Sequence, residues 1–396
     1  MNATPEVLLV IACTRSGESA ENTARIRKYI KTGVSWMTLI QFAIVHGVLP
    51  LVANTLKTTS ADLLPKNVLF QCDRALIRAE ARNLRQWAAL SSITKAFADA
   101  GVRLLAFKGA ALTSFAYRDF RLRESHDVDL WAAPEDTDRA GAILGSMGYL
   151  PVFYQLGESF GDDMTLRFAQ DVKRHGVFYS AERDVVIDLQ NINPQFYFTP
   201  EFNVLWEEHS VATGPGHGVA TLSKENYLIT LAVHGEKHSW RRMNWMVDVD
   251  RILTSSSDLD WDSIFSRAVR WRCHRRLSST LAIRSRLYDA PPINHDVAKY
   301  MTGWTTERVL SSLTRVNVST TLPTLMDVVE GFSSHYALID RRRDRAHYLF
   351  KRLRFRLIQF PTTVRNRLQL TTRTINIGRR RITIRYPVLL FKLGRS

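Results

Sequence analysis

The tripeptide best suited to chemistry in this 396-residue chain is Asp127-Val128-Asp129. It lies in an alternating run, His126-Asp127-Val128-Asp129-Leu130-Trp131, of the kind that makes a half-buried strand. Residues i and i+2 of a strand share a face, so both carboxylates point one way while Val128 and Leu130 point into a core. Two like charges that close repel unless a cation lies between them. Mg²⁺ fits that need, because it takes oxygen ligands and keeps waters and substrate phosphates in its shell. Asp188, between Ile187 and Leu189 on another apolar run, adds a third carboxylate. Three such groups on adjacent strands suit two metals, one activating a nucleophile and one neutralising a triphosphate. Lys108-Gly109 lies 18 residues before Asp127, at the mouth of the preceding apolar run. A glycine there lets backbone N–H groups approach a phosphate, and a lysine brings a point charge. Each piece has a plain alternative: Asp-x-Asp also occurs as exposed acids at strand ends, and Lys-Gly as a simple turn.

The elements that must position these residues follow from periodicity. Thr4-Pro5-Glu6 reads as a helix start rather than the basic head of a leader. From there to about Ala98 apolar residues recur every three or four positions, which predicts an N-terminal helical segment over 1–98. The period changes near Gly101. Val102–Phe107, His126–Trp131, Gly176–Tyr179 and Val185–Leu189 read as strands, the last two joined by a hairpin loop over 180–184. Ala110–Tyr117 and Pro134–Met147 read as helices between them. Mixed strands and helices over 99–205 make an α/β (α+β) core. Helical periodicity returns from about Lys224, giving a helical second lobe over 206–340 and a basic tail over 341–396.

The set of motifs resembles the nucleotidyltransferase superfamily that includes polymerase β. The carriers are Lys108-Gly109, then Leu122-Arg123, then Ser125-His126-Asp127-Val128-Asp129-Leu130. The chain is more closely similar to a bacterial family classed as nucleotidyltransferases by its motifs. His46-Gly47-Val48-Leu49-Pro50, His234-Gly235-Glu236-Lys237-His238-Ser239-Trp240 with Trp245 and Asp248, and Phe360-Pro361-Thr362 before the basic end all have counterparts there. The resemblance implies a polymerase-β-like mixed sheet flanked by the helical segment and the helical lobe. It implies Asp127 and Asp129 as catalytic metal ligands and Asp188 as the third catalytic carboxylate. It places Gly109 at the start of the nucleotide-binding turn, with Lys108, Arg123 and Ser125 near the phosphates. The activity implied is Mg²⁺-dependent transfer of a nucleoside monophosphate from an NTP such as ATP. The acceptor stays open between peptide, sugar and RNA. Two departures stand out. Ala110 follows Gly109 where Gly or Ser is usual, and Leu189-Gln190-Asn191 follows Asp188 where an aromatic-rich stretch is usual. The first motivates an alternative, a catalytically inactive member of the fold serving as a binding or adaptor protein.

In the second lobe, His234, Lys237 and His238 share one helix face by their spacing. His234 and His238 have zinc-helix spacing, but Gly235 stands where a metalloprotease helix has Glu. The reading favoured is a clamp on base and phosphate by Lys237 and His238, with Trp240 or Trp245 stacking on a ring. The competing reading buries both tryptophans in the lobe core. Asp248 reads as a structural acid that orients Lys237, a histidine or Arg241.

Composition narrows the class. No apolar run reaches the roughly 18–20 residues of a membrane span. Cys13, Cys72 and Cys273 lie far apart without a C-x-x-C pair, which excludes a zinc ribbon and a disulfide scaffold and fits a reducing, cytoplasmic setting. The net charge of +16 is localised: from Arg341 onward 17 Lys and Arg accompany a single acid, Asp344, while the first 340 residues hold 37 bases and 37 acids. Basic and apolar residues alternate from Tyr348 to Phe360, and Ile375–Ile384 reads as a basic hairpin. Such a tail grips a polyanion or an anionic membrane surface, or packs its apolar residues on the lobe. If it grips a polyanion, deleting Arg379-Arg380-Arg381 is expected to weaken that binding and flatten its salt dependence, with nucleotide binding unaffected. Truncation after Asp340 with unchanged melting excludes the packing role.

Overall fold

The computed structural model describes residues 3–17, 19–151, 175–190, 198, 200–255, 258–314, 338–339 and 344–345. The basic tail with its expected amphipathic run and hairpin, and Phe360-Pro361-Thr362, lie outside the described residues.

Five helices open the chain: α1 (Pro5–Thr14), α2 (Ala20–Lys31), α3 (Trp36–Val45), α4 (Leu49–Ser60) and α5 (Lys66–Asp99). Pro5 sits in the first turn of α1, where its missing N–H costs nothing. Ser19 and Ser35 cap α2 and α3 by accepting from the N–H of Asn22 and Thr38. α5 is long because nothing interrupts it. Val68, Cys72, Leu76, Ala79, Asn83, Trp87, Leu90, Ile93 and Phe97 repeat at helical spacing and are buried. It stops at Gly101, whose φ of +66° lets Val102 N–H reach back to Phe97 C=O at 2.8 Å.

Seven strands follow: β1 (Leu104–Ala106), β2 (Val128–Ala132), β3 (Leu150–Pro151), β4 (His175–Ser180), β5 (Val185–Gln190), β6 (Ser210–Ala212) and β7 (Val219–Thr221). They form one sheet in the order β3-β4-β5-β2-β1-β7-β6. β2 runs antiparallel to β1 and parallel to β5, and β7 runs parallel to β1, so the sheet is mixed. β4 and β5 are the expected hairpin. β6 and β7 carry the sheet past residue 205.

Between the strands lie α6 (Gly109–Leu112), which opens into a single π-helical turn over Thr113–Tyr117, then α7 (Thr137–Ser146) and α8 (Phe202–Glu207). The lobe contains α9 (Lys224–Lys237), α10 (Met243–Ser255), α11 (Trp261–Arg270), α12 (His274–Leu287), α13 (His295–Ala298) and α14 (Trp304–Leu313).

Alternation divides the sheet's two faces. Leu104, Ala106, Val128, Leu130, Ala132, Ile187 and Leu189 pack with Trp87, Leu90 and Phe97 of α5 and Leu144 of α7. The opposite face carries Leu105, Phe107 and Trp131, which join a larger core built from α1–α4 and α9–α14. Asp129 and Asp188 fall on this second face by the period of two. The N-terminal helices and the lobe share hydrogen bonds as well as core. His46 is fully buried and its Nδ1 accepts from Met243 N–H at 3.1 Å, while its C=O accepts from Asn244 N–H. Burial, with Arg242 nearby, lowers its pKa to about 4, so it remains a neutral acceptor. Ser16 N–H donates to Asp250 Oδ2, and Asp250 also pairs with Arg284. The His46-Gly47-Val48-Leu49-Pro50 motif is therefore a brace between the ends of the fold.

Between α9 and α10 the chain turns through Ser239 and Trp240, both in the left-handed region with φ of 53° and 52°. That is costly for a bulky residue and persists only when the surroundings compensate. Trp240 is 2% exposed, its ring pressed on the backbone of Gly235. Trp240 is thus lobe core and is not available to stack on a ligand. A Cβ at position 235 would lie 2.3 Å from that ring. Gly235→Ala is expected to destabilise the fold by roughly 1–3 kcal/mol in urea unfolding, as overpacking does; an unchanged midpoint would mean the ring is not seated there.

Candidate functional site

β2 and β5 place their acids side by side. In their parallel register Val128 pairs with Ile187, Asp129 with Asp188 and Leu130 with Leu189. Neighbouring strands lie about 4.8 Å apart, so both carboxylates rise from adjacent backbones onto the same face. Asp127, one residue before β2, is half-buried and its charge reaches Asp129. Asp129 is 2% exposed. Burial and the charge of Asp127 raise its pKa, against Lys108 and Arg123. Burial and the charge of Asp129 likewise raise that of Asp188, against its hydrogen bond from Gln190 and the charges of Lys108 and Lys237. These carboxylates are held together at an electrostatic cost.

Lys108 and Gly109 form the turn at the end of β1. Gly109 has φ of +56°, and a Cβ there would lie 2.6 Å from the Asp127 carbonyl oxygen and 3.2 Å from Ser125 Oγ. Glycine is needed because this turn is pressed against the strand that carries the acids. Ser125, 4% exposed, donates its hydroxyl to Asp127 C=O at 3.2 Å. Lys108 extends over the ring of Phe107, 4.9 Å from its centroid, and its Nζ stands 2.7 Å from Asp129 Oδ1. The ammonium is paired with that oxygen, and the contact works against the effect of burial on Asp129.

Arg123 is placed differently from the phosphate contact expected of it. Its guanidinium makes a two-pronged ion pair with Asp248 of α10, at 2.8 and 3.0 Å, with Arg123 7% and Asp248 0% exposed. Tyr117 at the end of the π-helical turn donates to the same carboxylate at 2.7 Å. Burial opposes the charge on Arg123, and Asp248 more than restores it, pushing the pKa up. Asp248 was expected to orient Lys237, a histidine or Arg241, whereas the partners seen are Arg123 and Tyr117. The tie runs from the lobe to the loop that leads into Asp127. Tyr117 carries no motif signal, and only its contact reveals it. Asn83 of α5 holds the same loop, donating to the carbonyls of Phe120 and Arg123 at 2.7 Å.

Lys237 comes from the end of α9. Desolvation and the repulsion of Lys108 lower its pKa, while Asp188 and Asp129 raise it, so it stands within charge reach of both acids. His238 stacks on Trp245 with centroids 4.8 Å apart, and His234 meets both rings edge-on, at 4.7 Å from His238 and 5.8 Å from Trp245. Desolvation and the charges of Lys108, His238, Lys237 and Arg123 hold His234 well below its ordinary pKa, hence neutral. Half-buried Trp245, not Trp240, is the ring that belongs to this cluster. A cavity of about 270 Å³ between α8 and α11, lined by Glu208, Arg267 and Trp271 among others, shares no residue with the carboxylates.

The donor set suits a hard cation: acidic oxygens only, on two strand carboxylates whose pKa values are raised by burial and by a neighbouring acid. Among the described residues no three His, Cys, Asp or Glu side chains converge on one point. The arrangement leaves a hard cation such as Mg²⁺ one or two of these carboxylates at a time, with waters and substrate phosphates to complete its shell. It does not suit zinc at His234 and His238, which would need further protein ligands. No described helix is long and apolar enough to cross a membrane. The three cysteines are buried and form no disulfide with one another.

Residues 32–289 match a family model described as "Uncharacterised nucleotidyltransferase". No curated protein matches the chain. Among solved structures it is similar to an antigenic nucleotidyltransferase-like protein from Paracoccidioides brasiliensis, at 12% identity and a TM-score of 0.30, over 49% of this chain and 90% of that one.

Asp248, fully buried, and Asp188, half-buried, should respond oppositely to neutralisation. Asp248→Asn leaves Arg123 buried without its counter-charge and is expected to cost about 3–5 kcal/mol. Asp188 has a folded pKa above its unfolded one, so its ionisation opposes folding above that pKa, and the penalty vanishes as pH falls through it. Asp188→Asn is therefore expected to melt no lower than the parent at pH 7. Thermal unfolding of both variants tests the contrast.

Proposed function

Because the chain belongs to the family of uncharacterised nucleotidyltransferases, we propose that it transfers a nucleoside monophosphate from a nucleoside triphosphate to an acceptor nucleophile, with Mg²⁺. The observation that carries this reading is the register of Asp129 against Asp188, with Asp127 two residues earlier and the Lys108-Gly109 turn beside them. Asp127, Asp129 and Asp188 would hold Mg²⁺, which when bound neutralises the triphosphate and favours ionisation of the nucleophile.

The chain's own groups do the rest. The Gly109 turn brings backbone close to the phosphates, and Ser125 stands beside it, its hydroxyl on Asp127 C=O. An acceptor oxygen forms a bond to the α-phosphorus, the bond from that phosphorus to the bridging oxygen breaks, and pyrophosphate leaves with the electron pair. Asp188, level with Asp129 on the neighbouring strand, takes the acceptor proton. Lys108 and Lys237 offset charge on the leaving pyrophosphate. His238 and Trp245 present a ring surface for the base. Arg123 acts at one remove, by fixing the loop that carries Asp127. The acceptor class, whether peptide, sugar or RNA, is set by chemistry that these residues do not display.

The adaptor reading rests on Ala110, which is buried and has no hydroxyl to offer a phosphate. It predicts nucleotide binding without pyrophosphate release. Purified protein is expected to bind NTP with Mg²⁺ and to release pyrophosphate over a panel of peptides, sugars and RNA. Asp127→Asn and Asp129→Asn should each lower turnover by a hundredfold or more, on the order of the loss of a major electrostatic contact. Since the acids must be ionised to hold metal and their pKa values are raised in the free protein, kcat/KM should decline on acidification at a pH still above the ordinary carboxylate value of about 4. Variants that bind and turn over like the parent would refute the assignment.

A further inference from the structure

Lys108 has a second relation to the carboxylates that the transfer reaction alone does not require. Its ammonium is not poised in open solvent for a phosphate. It is bound 2.7 Å from Asp129 Oδ1, with the Lys108 and Asp129 side chains 11% and 2% exposed. The stem lies along Phe107, whose ring is stacked on Trp131 of β2 at 4.3 Å, so the lysine is supported on the same face as the acid. Its charge is also felt by Asp188, Lys237 and His234.

A divalent cation held by Asp129 would draw on the same carboxylate. Mg²⁺ coordinates at about 2.0–2.1 Å. An ammonium ion-paired to that carboxylate brings a second positive charge within a few ångströms of that position, in a setting little screened by solvent. Resting on the metal-dependent reading above, we infer that Lys108 is a resident counter-cation of Asp129 that competes with the divalent metal and yields its place when a nucleotide's phosphates offer the ammonium another anion. Metal and nucleotide then bind with positive coupling. Metal alone must displace the ammonium from Asp129 with only the acids already in the site to receive it. Metal with triphosphate exchanges one ion pair for two. Coupling of this kind is reciprocal, so Mg²⁺ tightens nucleotide binding by the same factor. The device keeps the buried acids compensated in the empty enzyme and ties metal loading to the arrival of substrate.

The test measures Mn²⁺ binding to the full chain by the loss of its free-ion paramagnetic resonance signal, with and without saturating ATP analogue blocked at the α–β bridge. Three proteins are compared: the parent, Lys108→Gln, which keeps a hydrogen-bond donor but no charge, and Lys108→Arg, which keeps the charge. The parent is expected to bind Mn²⁺ at least tenfold more tightly with the analogue than without it, after correction for Mn²⁺ bound by the analogue itself. Lys108→Gln is expected to bind Mn²⁺ alone at least tenfold more tightly than the parent and to lose most of the coupling. Lys108→Arg should stay weak for metal alone. If Lys108→Gln binds Mn²⁺ no more tightly than the parent, while Asp129→Asn abolishes binding, the competition is refuted and the metal site stands. If no protein binds Mn²⁺ under either condition, the metal-dependent reading fails as well. Should Lys108→Gln fail to fold, as judged by circular dichroism, the parent alone decides: Mn²⁺ affinity independent of the analogue overturns the inference.

Discussion

Two carboxylates placed in register on neighbouring parallel strands are the constraint around which the rest of this structure is arranged. Asp129 opposite Asp188, with Asp127 alongside, sets like charges together where water is scarce. Nothing in folding favours that arrangement. Burial and mutual repulsion raise the pKa of both strand acids, so the fold sustains them at a cost. The compensation is local and cationic: Lys108 against Asp129, with the charges of Lys237 and Arg123 farther out. A cluster destabilising in itself yet enclosed by this much supporting structure is the usual mark of a site kept for chemistry.

The support is built from both ends of the chain. α5 and α7 cover one face of the sheet with apolar side chains, which leaves the acid-bearing face to the lobe. The Arg123–Asp248–Tyr117 cluster then joins α10, the π-helical turn and the loop entering β2 at one buried carboxylate. His46 and Asp250 bind the N-terminal helices to the start and middle of α10 and to α12. α10 thus carries the anchor for the loop entering β2 on one turn and the anchors for the N-terminal brace on others. A shift of that helix would be felt at Asp127 through Arg123, which makes it the element most able to couple lobe position to site geometry.

Local pattern made much of this legible. Alternation from His126 to Trp131 and from Val185 to Leu189 marks β2 and β5, and their inward residues, because the period of two is intrinsic to a pleated strand. Helical spacing marks α5, and Gly101 its end. β3, β6 and β7 escape notice because two or three residues are too few to display a period. Long-range facts are not local at all. The register of Asp129 with Asp188 depends on a parallel pairing across 59 residues of chain. The partners of Asp248 lie 125 and 131 residues away. A spacing of three or four on α9 suggested neighbours for that acid on its own lobe, and tertiary packing supplied others. For Trp240 and Trp245 the sequence offers two equal rings, and only the close approach at Gly235 shows that the first is core and the second faces the histidines.

The departure at Ala110 bears on whether the turn is competent, and its neighbours answer much of the point. Position 110 is 1% exposed and belongs to the apolar core under α5. A serine there would have to bury its hydroxyl among Leu90, Leu130 and their neighbours or turn it back to the helix. The hydroxyl beside the turn comes instead from Ser125, whose Oγ lies 3.2 Å from where a side chain on Gly109 would begin. Ser125 also binds the carbonyl of Asp127, so its hydroxyl lies between the turn and the strand that carries the acids. The loss of one polar side chain at position 110 is weaker ground for an inert site than the sequence alone suggests.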